Sequence, residues 1–309
     1  MSLADLIRKT PFIGVYRNLK SKKAEKENMK LDDKEFLNRI FVRKFGRDID
    51  WDNPVTYNEK LQWLKIYDRK PMYNIIVDKY EVRQYIADRI GEQYLIPLLG
   101  VWDRFDEIDF DSLPDSFVLK CTHDSGGLVI VTDKSKFDKK AARKKINESL
   151  KRNFYWQSRE WPYKDVRPRI IAEKYMTDSP DVNTFTDYKF FCFDGKADNV
   201  MIVAGRANNE AKYYHFSKDW QLCRYNRLCR RLPEGFTMDK PEQMDKMFEI
   251  AEKLSIGFPE VRVDLYLSDG KIYFGELTLF SNGGFEDGFD IDSDTHLGNC
   301  ITLPEKTVN

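Results

Sequence analysis

The sequence predicts an α+β fold, with helices early in the chain and antiparallel strands later. Three patterns carry that expectation. Apolar residues recur at helical spacing between residues 33 and 90, alternating runs begin near residue 116, and a hairpin signature spans 261–280. With 309 residues, 41% of them apolar and 14% aromatic, the chain can fill one large domain or two to three joined subdomains. The expected boundaries are a basic helical extension over 1–50, a helical or α+β unit over 51–115, a unit over 116–176 and a C-terminal unit over 177–309.

Each element has a local cause. Residues 1–30 hold eight Lys or Arg against three acids, with Leu3, Leu6, Ile7, Phe12 and Ile13 interleaved. Such an arm can dock on an anionic membrane surface, although Pro11 and Gly14 interrupt its helix and favour a solvated extension. Over 33–45, Phe36, Leu37, Ile40, Phe41 and Phe45 form one stripe, and Gly46 stops the run. Thr56 and Glu59 have capping-box spacing ahead of Leu61, Leu64 and Tyr67. Asp78 can cap a further helix, on which Lys79 and Arg83 stand one turn apart and can face one ligand. Strands follow at 116–122, 128–132, 169–176, 187–193 and 199–204, with a basic helix over 138–153. A helix over 241–256 begins near Pro241 and ends before Gly257.

Bulk properties exclude several roles. Lys and Arg total 51, as do Asp and Glu, so no basic excess supports nucleic-acid binding. Five cysteines without a C-x-x-C pair argue against zinc and disulfide frameworks and suit reduced thiols in the cytoplasm. No apolar run reaches the ~18 residues of a membrane span, and no signal-peptide core is evident.

The last hairpin concentrates the chemistry. Arg262, Asp264 and Tyr266 share one face of a strand, and Glu276 and Thr278 share a face of its return. Acids inside buried strands need partners, and Mg²⁺ binds through one or two carboxylates together with phosphates. Register decides whether the acids meet. A two-residue loop at Asp269-Gly270 sets Asp264 opposite Gly275 and turns Glu276 away. A three-residue loop with left-handed Gly270 brings Arg262, Asp264, Glu276 and Thr278 together, so the odd loop is expected. Earlier, Lys120 precedes a turn containing Ser125, Gly126 and Gly127, which can hold phosphate by charge and backbone N–H groups. Neither G-x-x-x-x-G-K-[ST] nor G-x-G-x-x-G is present.

Taken in order, five runs resemble the ATP-grasp superfamily, and more closely the TupA-like ATP-grasp family found in bacterial surface-polysaccharide gene clusters. They are Thr56–Leu64, Asp78–Arg83, Phe117–His123 with Gly126, Asp187–Phe191, and Val261–Asp264 through Gly275–Thr278, and the resemblance covers about residues 50–300. It implies two α+β subdomains clasping ATP between their sheets, with 116–176 as the lid. It further implies that Lys79 and Lys120 bind phosphate, that Ser125-Gly126-Gly127 closes over it, and that Glu173, Lys174, Tyr175 and Met176 form the adenine hinge. Asp187 then stands at the ribose position, Asp264 and Glu276 hold Mg²⁺, and Arg262 steadies the acyl phosphate. The superfamily usually has Asn where Thr278 stands, which leaves Thr278 or Asn282 as the third metal ligand. Lys189, Arg206 and His123 are further candidates for contact with phosphate or substrate.

The implied activity is an ATP-dependent carboxylate–amine ligase, joining an amino acid or amine to a uronic acid of a surface polysaccharide or its precursor. Two other readings compete. Asp290-Ile291-Asp292 and Asp292-Ser293-Asp294 fit the Asp-x-Asp pattern of a metal-dependent glycosyltransferase, and the Thr278 departure leaves room for a non-catalytic ATP-binding protein.

Overall fold

The computed structural model describes residues 28–176, 186–204 and 211–307. The expected membrane-docking arm falls almost wholly on residues 1–27, outside the described residues, as does Arg206. No helix among the described residues is long and apolar enough to cross a membrane. The chain divides into two compact units, Met1–Ile49 and Asp50–Asn309.

In the first unit, helix α1 (Asp33–Phe45) starts where the Asp32 side chain accepts from Glu35 N, and stops at Gly46, whose φ of 72° is left-handed. In the second unit, α2 (Tyr57–Tyr67) opens on the expected capping box: Thr56 and Glu59 satisfy each other's backbone N–H groups. Helices α3 (Met72–Val77) and α4 (Val82–Ile90) follow, and Asp78 between them accepts from Tyr80 N and Glu81 N at 2.8 and 3.3 Å.

A four-stranded antiparallel sheet comes next, with spatial order β1-β4-β2-β3. Its strands are β1 (Leu98–Trp102), β2 (Phe117–Cys121), β3 (Leu128–Val131) and β4 (Ile170–Lys174). Phe117, Leu119 and Cys121 are buried on one side of β2, as the alternation predicts, and pack under helix α5 (Lys139–Leu150). Lys120 lies on the opposite face. The short helix α6 (Tyr155–Ser158) leads back to β4.

The larger sheet has six strands in the order β10-β9-β5-β6-β7-β8, all antiparallel. They are β5 (Asp187–Phe193), β6 (Lys196–Ala204), β7 (Lys212–Phe216), β8 (Leu222–Cys223), β9 (Val261–Ser268) and β10 (Lys271–Thr278). Helix α7 (Arg227–Arg231) precedes α8 (Met244–Ser255), whose Met247, Phe248, Ala251 and Leu254 are fully buried in the main core with Phe190, Val263 and Leu265. Helix α9 (Ile291–Cys300) closes the chain against α2.

The β9–β10 hairpin corrects one expectation and keeps its consequence. Ser268 pairs with Lys271, so the loop is the tight two-residue Asp269-Gly270 turn, with φ of 50° and 71°. The expected three-residue loop is absent. The odd residue sits inside the strand instead: Phe274 pairs with Leu265, Gly275 bulges, and Glu276 pairs with Asp264. Thr278 then lies opposite Arg262, and all four side chains share a face. Glycine suits the bulge because a Cβ there would meet the Tyr266 ring at 2.8 Å and the Asp264 carbonyl oxygen at 3.0 Å. Gly275→Val should therefore destabilise the fold by about 1–3 kcal/mol, measured by urea unfolding, whereas Gly270→Asn at the turn should cost well under half of that.

Candidate functional site

The facing sides of the two sheets bound a cavity of about 320 Å³. The smaller sheet contributes Lys120 and Glu173, the loop after β2 contributes Asp124 to Gly127, and the helical segment contributes Lys79 and Arg83. From the larger sheet come Asp187, Lys189, Tyr266 and Glu276. Thus Lys79, Lys120, Ser125, Gly126, Gly127, Glu173, Asp187, Lys189 and Glu276, all singled out in the sequence, line one space.

Antiparallel register explains the larger sheet's share. Glu276, Asp264 and Lys189 stand abreast on β10, β9 and β5, and Thr278 and Arg262 form the next row. Asp264 is 1% exposed and is gripped by Arg262 through Nε to Oδ1 at 2.6 Å and Nη2 to Oδ2 at 2.8 Å. Lys189 Nζ donates to the same Oδ2 and lies 3.8 Å from Asp187. Burial alone raises the Asp264 carboxyl, but the Arg262 guanidinium and the Lys189 ammonium outweigh it and hold the group below its ordinary range. Arg262 also donates to Ser281 Oγ at 2.7 Å and Thr278 Oγ1 at 3.1 Å, and approaches Glu276 at 3.3 Å. Glu276 keeps 46% of its side chain exposed toward the cavity.

On the opposite wall, the Glu173 carboxylate is shared by Lys120 at 2.6 Å and Arg83 at 3.1 Å. Lys79 Nζ donates to the Asp124 carbonyl at 2.5 Å, and Asp124 Oδ1 accepts from Gly127 N at 3.2 Å. Burial lowers the Lys79 ammonium, nearby Glu276 and Asp124 oppose that shift, and Lys120 reinforces it. Two lysines close enough to repel each other beside a glycine turn are suited to a polyanion. Gly127 is fixed by close approach, since a Cβ there would lie 2.2 Å from Ser149 Oγ.

Other expected residues lie elsewhere. Lys174 ends β4 and Tyr175 and Met176 follow it; none of the three lines the cavity, and Lys174 N donates to the Pro97 carbonyl at 2.9 Å. Asn282 sits in a 3₁₀ turn with φ of 51°, and its Nδ2 donates to the Phe285 carbonyl at 3.2 Å. His123 departs from expectation. It is buried and outside the cavity lining, with Nε2 directed at the Ser149 and Arg152 carbonyls, each at 3.2 Å. The C-terminal carbonyls of α5 need donors, and this imidazole supplies one. The Asp-x-Asp pattern is also a helix terminus: Asp290 caps α9 by accepting from Ser293 N at 2.9 Å, and buried Asp294 binds Asn58.

Sequence reasoning missed the support beneath Arg262. Lys65, fully buried on α2, donates to the Ser158 and Gly283 carbonyls at 2.8 and 2.5 Å and to Gln62 Oε1 at 2.9 Å. It thereby anchors the turn that carries Ser281. The signal was present in Gln62 and Lys65, polar residues inside an otherwise apolar helical run.

The model of the TupA-like ATP-grasp family matches residues 59–302. The chain belongs to that family. It is therefore an ATP-grasp protein. Its fold resembles a D-cycloserine synthetase at 14% identity, covering 74% of this chain and 70% of that one, with a TM-score of 0.43. A D-alanine–D-alanine ligase from Bacillus anthracis solved with ATP is 15% identical, covering 73% and 65%, with a TM-score of 0.38. An L-amino acid ligase from Bacillus licheniformis is 14% identical, covering 80% and 54%, with a TM-score of 0.44. The last two are thus spanned over less than two thirds of their length. No curated protein matches this sequence.

The donor set of this ATP-grasp protein fits both a nucleotide's phosphates and Mg²⁺. Lysines and glycine N–H groups on one wall suit phosphate, and two adjacent carboxylates with hard oxygen donors suit Mg²⁺. Just before β9, Glu260 is buried and accepts from the Tyr57 hydroxyl at 2.8 Å, while its Oε2 has no hydrogen-bond partner among the described residues. Burial pushes its carboxyl from 4.5 up to about 8, against the Tyr57 hydrogen bond and the Arg262 charge. The folded state thus holds a proton that the unfolded state has released, so this stabilisation is complete below pH 4.5 and fades as pH rises through about 8. Glu260→Gln should flatten the fall in unfolding free energy between pH 5 and 8, by roughly a few kcal/mol, measured by urea melts across that window.

Proposed function

We propose that this chain joins the carboxyl group of a uronic acid, in a surface polysaccharide or its precursor, to the amine of an amino acid. One observation supports the ligation chemistry above the rest: the cavity sets Lys79, Lys120 and the Gly126-Gly127 turn across from Glu276, which Asp264 and Arg262 flank on the neighbouring strand. The saccharide rests on the resemblance to a family found in surface-polysaccharide gene clusters.

In this reading the γ-phosphoryl group passes to the carboxylate, and the amine then displaces phosphate from the acyl phosphate. Lys79, Lys120 and the N–H groups of Ser125, Gly126 and Gly127 hold the phosphates. Glu173 faces the adenine edge, with the backbone of Lys174, Tyr175 and Met176 as the hinge, and Asp187 takes the ribose. Asp264 and Glu276 would hold Mg²⁺, with Thr278 or Asn282 as a further oxygen donor. Bound there, the metal supplies charge neutralisation on the transferring group. Lys189 keeps Asp264 ionised and aligned. Arg262, steadied by Asp264 and Ser281, offers positive charge where the carboxylate oxygens become an acyl phosphate. His123 holds the end of α5 and thereby the loop that carries Ser125 to Gly127.

The test supplies purified full-length protein with ATP, Mg²⁺, uronic acids and amino acids. ADP and phosphate should accumulate only when both acid and amine are present. Glu276→Gln, at a half-exposed position, should fold normally by circular dichroism and lower kcat by roughly 100- to 1,000-fold. Lys120→Met should raise the KM for ATP. Release of UDP from a nucleotide sugar, or ADP formation indifferent to Glu276→Gln, would overturn the reading.

A further inference from the structure

A second cluster of ligating side chains lies on α9 and β6, outside the cavity lining. His296 and Cys300 are one turn apart on α9, and both point at Asp198 of β6. His296 Nε2 is 2.8 Å from Asp198 Oδ1, and Cys300 Sγ is 3.9 Å from the same oxygen. The three donor atoms lie within 4.8 Å of one another.

The carboxylate is oriented from behind. Tyr225 OH donates to Asp198 Oδ2 at 2.8 Å and Asn199 Nδ2 does so at 3.0 Å. Asn199 is itself fixed, since its Oδ1 accepts from His215 Nδ1 at 2.8 Å. Oδ2 is thus occupied by the protein, and Oδ1 is left facing the two donors on the helix. This matches the way outer partners set a metal ligand's orientation.

We propose that Asp198, His296 and Cys300 form a transition-metal site suited to Zn²⁺. Two donors at i and i+4 on a helix reach one ion, and a thiolate, an imidazole and a carboxylate make a borderline-soft set. Mg²⁺ takes hard oxygen donors, so this site differs in kind from the Asp264–Glu276 pair. The His296 side chain is 51% exposed, which gives an ion access and leaves room for water as a fourth ligand. The bound metal joins α9 to β6.

Co²⁺ titrated into the full-length, metal-stripped protein, with excess Mg²⁺ present, tests the site. The expected result is a thiolate-to-cobalt charge-transfer band that saturates at one equivalent and is removed by one equivalent of Zn²⁺. Zn²⁺ should also protect Cys300 from alkylation, read on the Cys300 peptide by mass spectrometry. Cys300→Ser should abolish the band, His296→Ala should weaken Zn²⁺ binding by at least about 100-fold, and Tyr225→Phe should weaken it by about 10-fold. If the three groups only hydrogen-bond to one another, the wild type gives no band and alkylates equally with or without Zn²⁺, which overturns the proposal. A band unchanged in Cys300→Ser does the same. The wild-type readouts decide the matter even where a variant fails to fold.

Discussion

The carboxylate of Asp264 is the point around which the larger sheet is arranged. It is buried in the middle of β9, and a lone charge there would be very costly. Two cations from different places in the chain make it tolerable: Arg262 from its own strand and Lys189 from β5. Removing either leaves the other charges poorly compensated, which is why such groups destabilise a fold most when separated. The pairing also fixes the guanidinium of Arg262, whose remaining N–H groups reach Ser281 and Thr278. Ser281 belongs to a turn whose carbonyl at Gly283 is held by buried Lys65. A chain of polar contacts therefore runs from α2 to the cavity wall and aligns the arginine before any ligand arrives.

The facing wall follows a different rule. Lys120, Arg83 and Glu173 satisfy one another, while Lys79 rests on a backbone carbonyl of the glycine turn. Neutral peptide oxygen is a weaker partner for an ammonium than phosphate oxygen. The Lys79 contact on this wall is thus one that a polyanion can replace with gain, whereas the Asp264 contacts across the cavity are internal to the sheet.

Much of this was readable in the sequence because it is local. The Thr56–Glu59 capping box, the stop at Gly46, the alternation over β2 and the helix ending before Gly257 each depend on neighbours within about one turn or one strand. What escaped depends on distant partners. Strands β1 and β7 carry mixed patterns and exist through pairing with β4 and β6. Asp290 and Asp294 looked like a metal motif, but one caps a helix and the other bonds to Asn58, 236 positions away. His123 beside a glycine turn resembled a site residue, yet its ring serves the end of α5.

The hairpin shows how far sequence logic reaches. Placing Asp264 and Glu276 on one face requires one residue more than a simple two-residue turn supplies. That requirement is a matter of parity, since side chains alternate along a strand. Parity leaves open where the extra residue goes, because Gly270 and Gly275 are both glycines able to absorb it. Asp269-Gly270 already makes a favourable turn with positive φ at both positions, matching the twist of the strands. At Gly275, by contrast, the Tyr266 ring and the Asp264 carbonyl exclude a side chain. The extra residue therefore settles in the strand, beside the acids it aligns, and the bulge becomes part of the site.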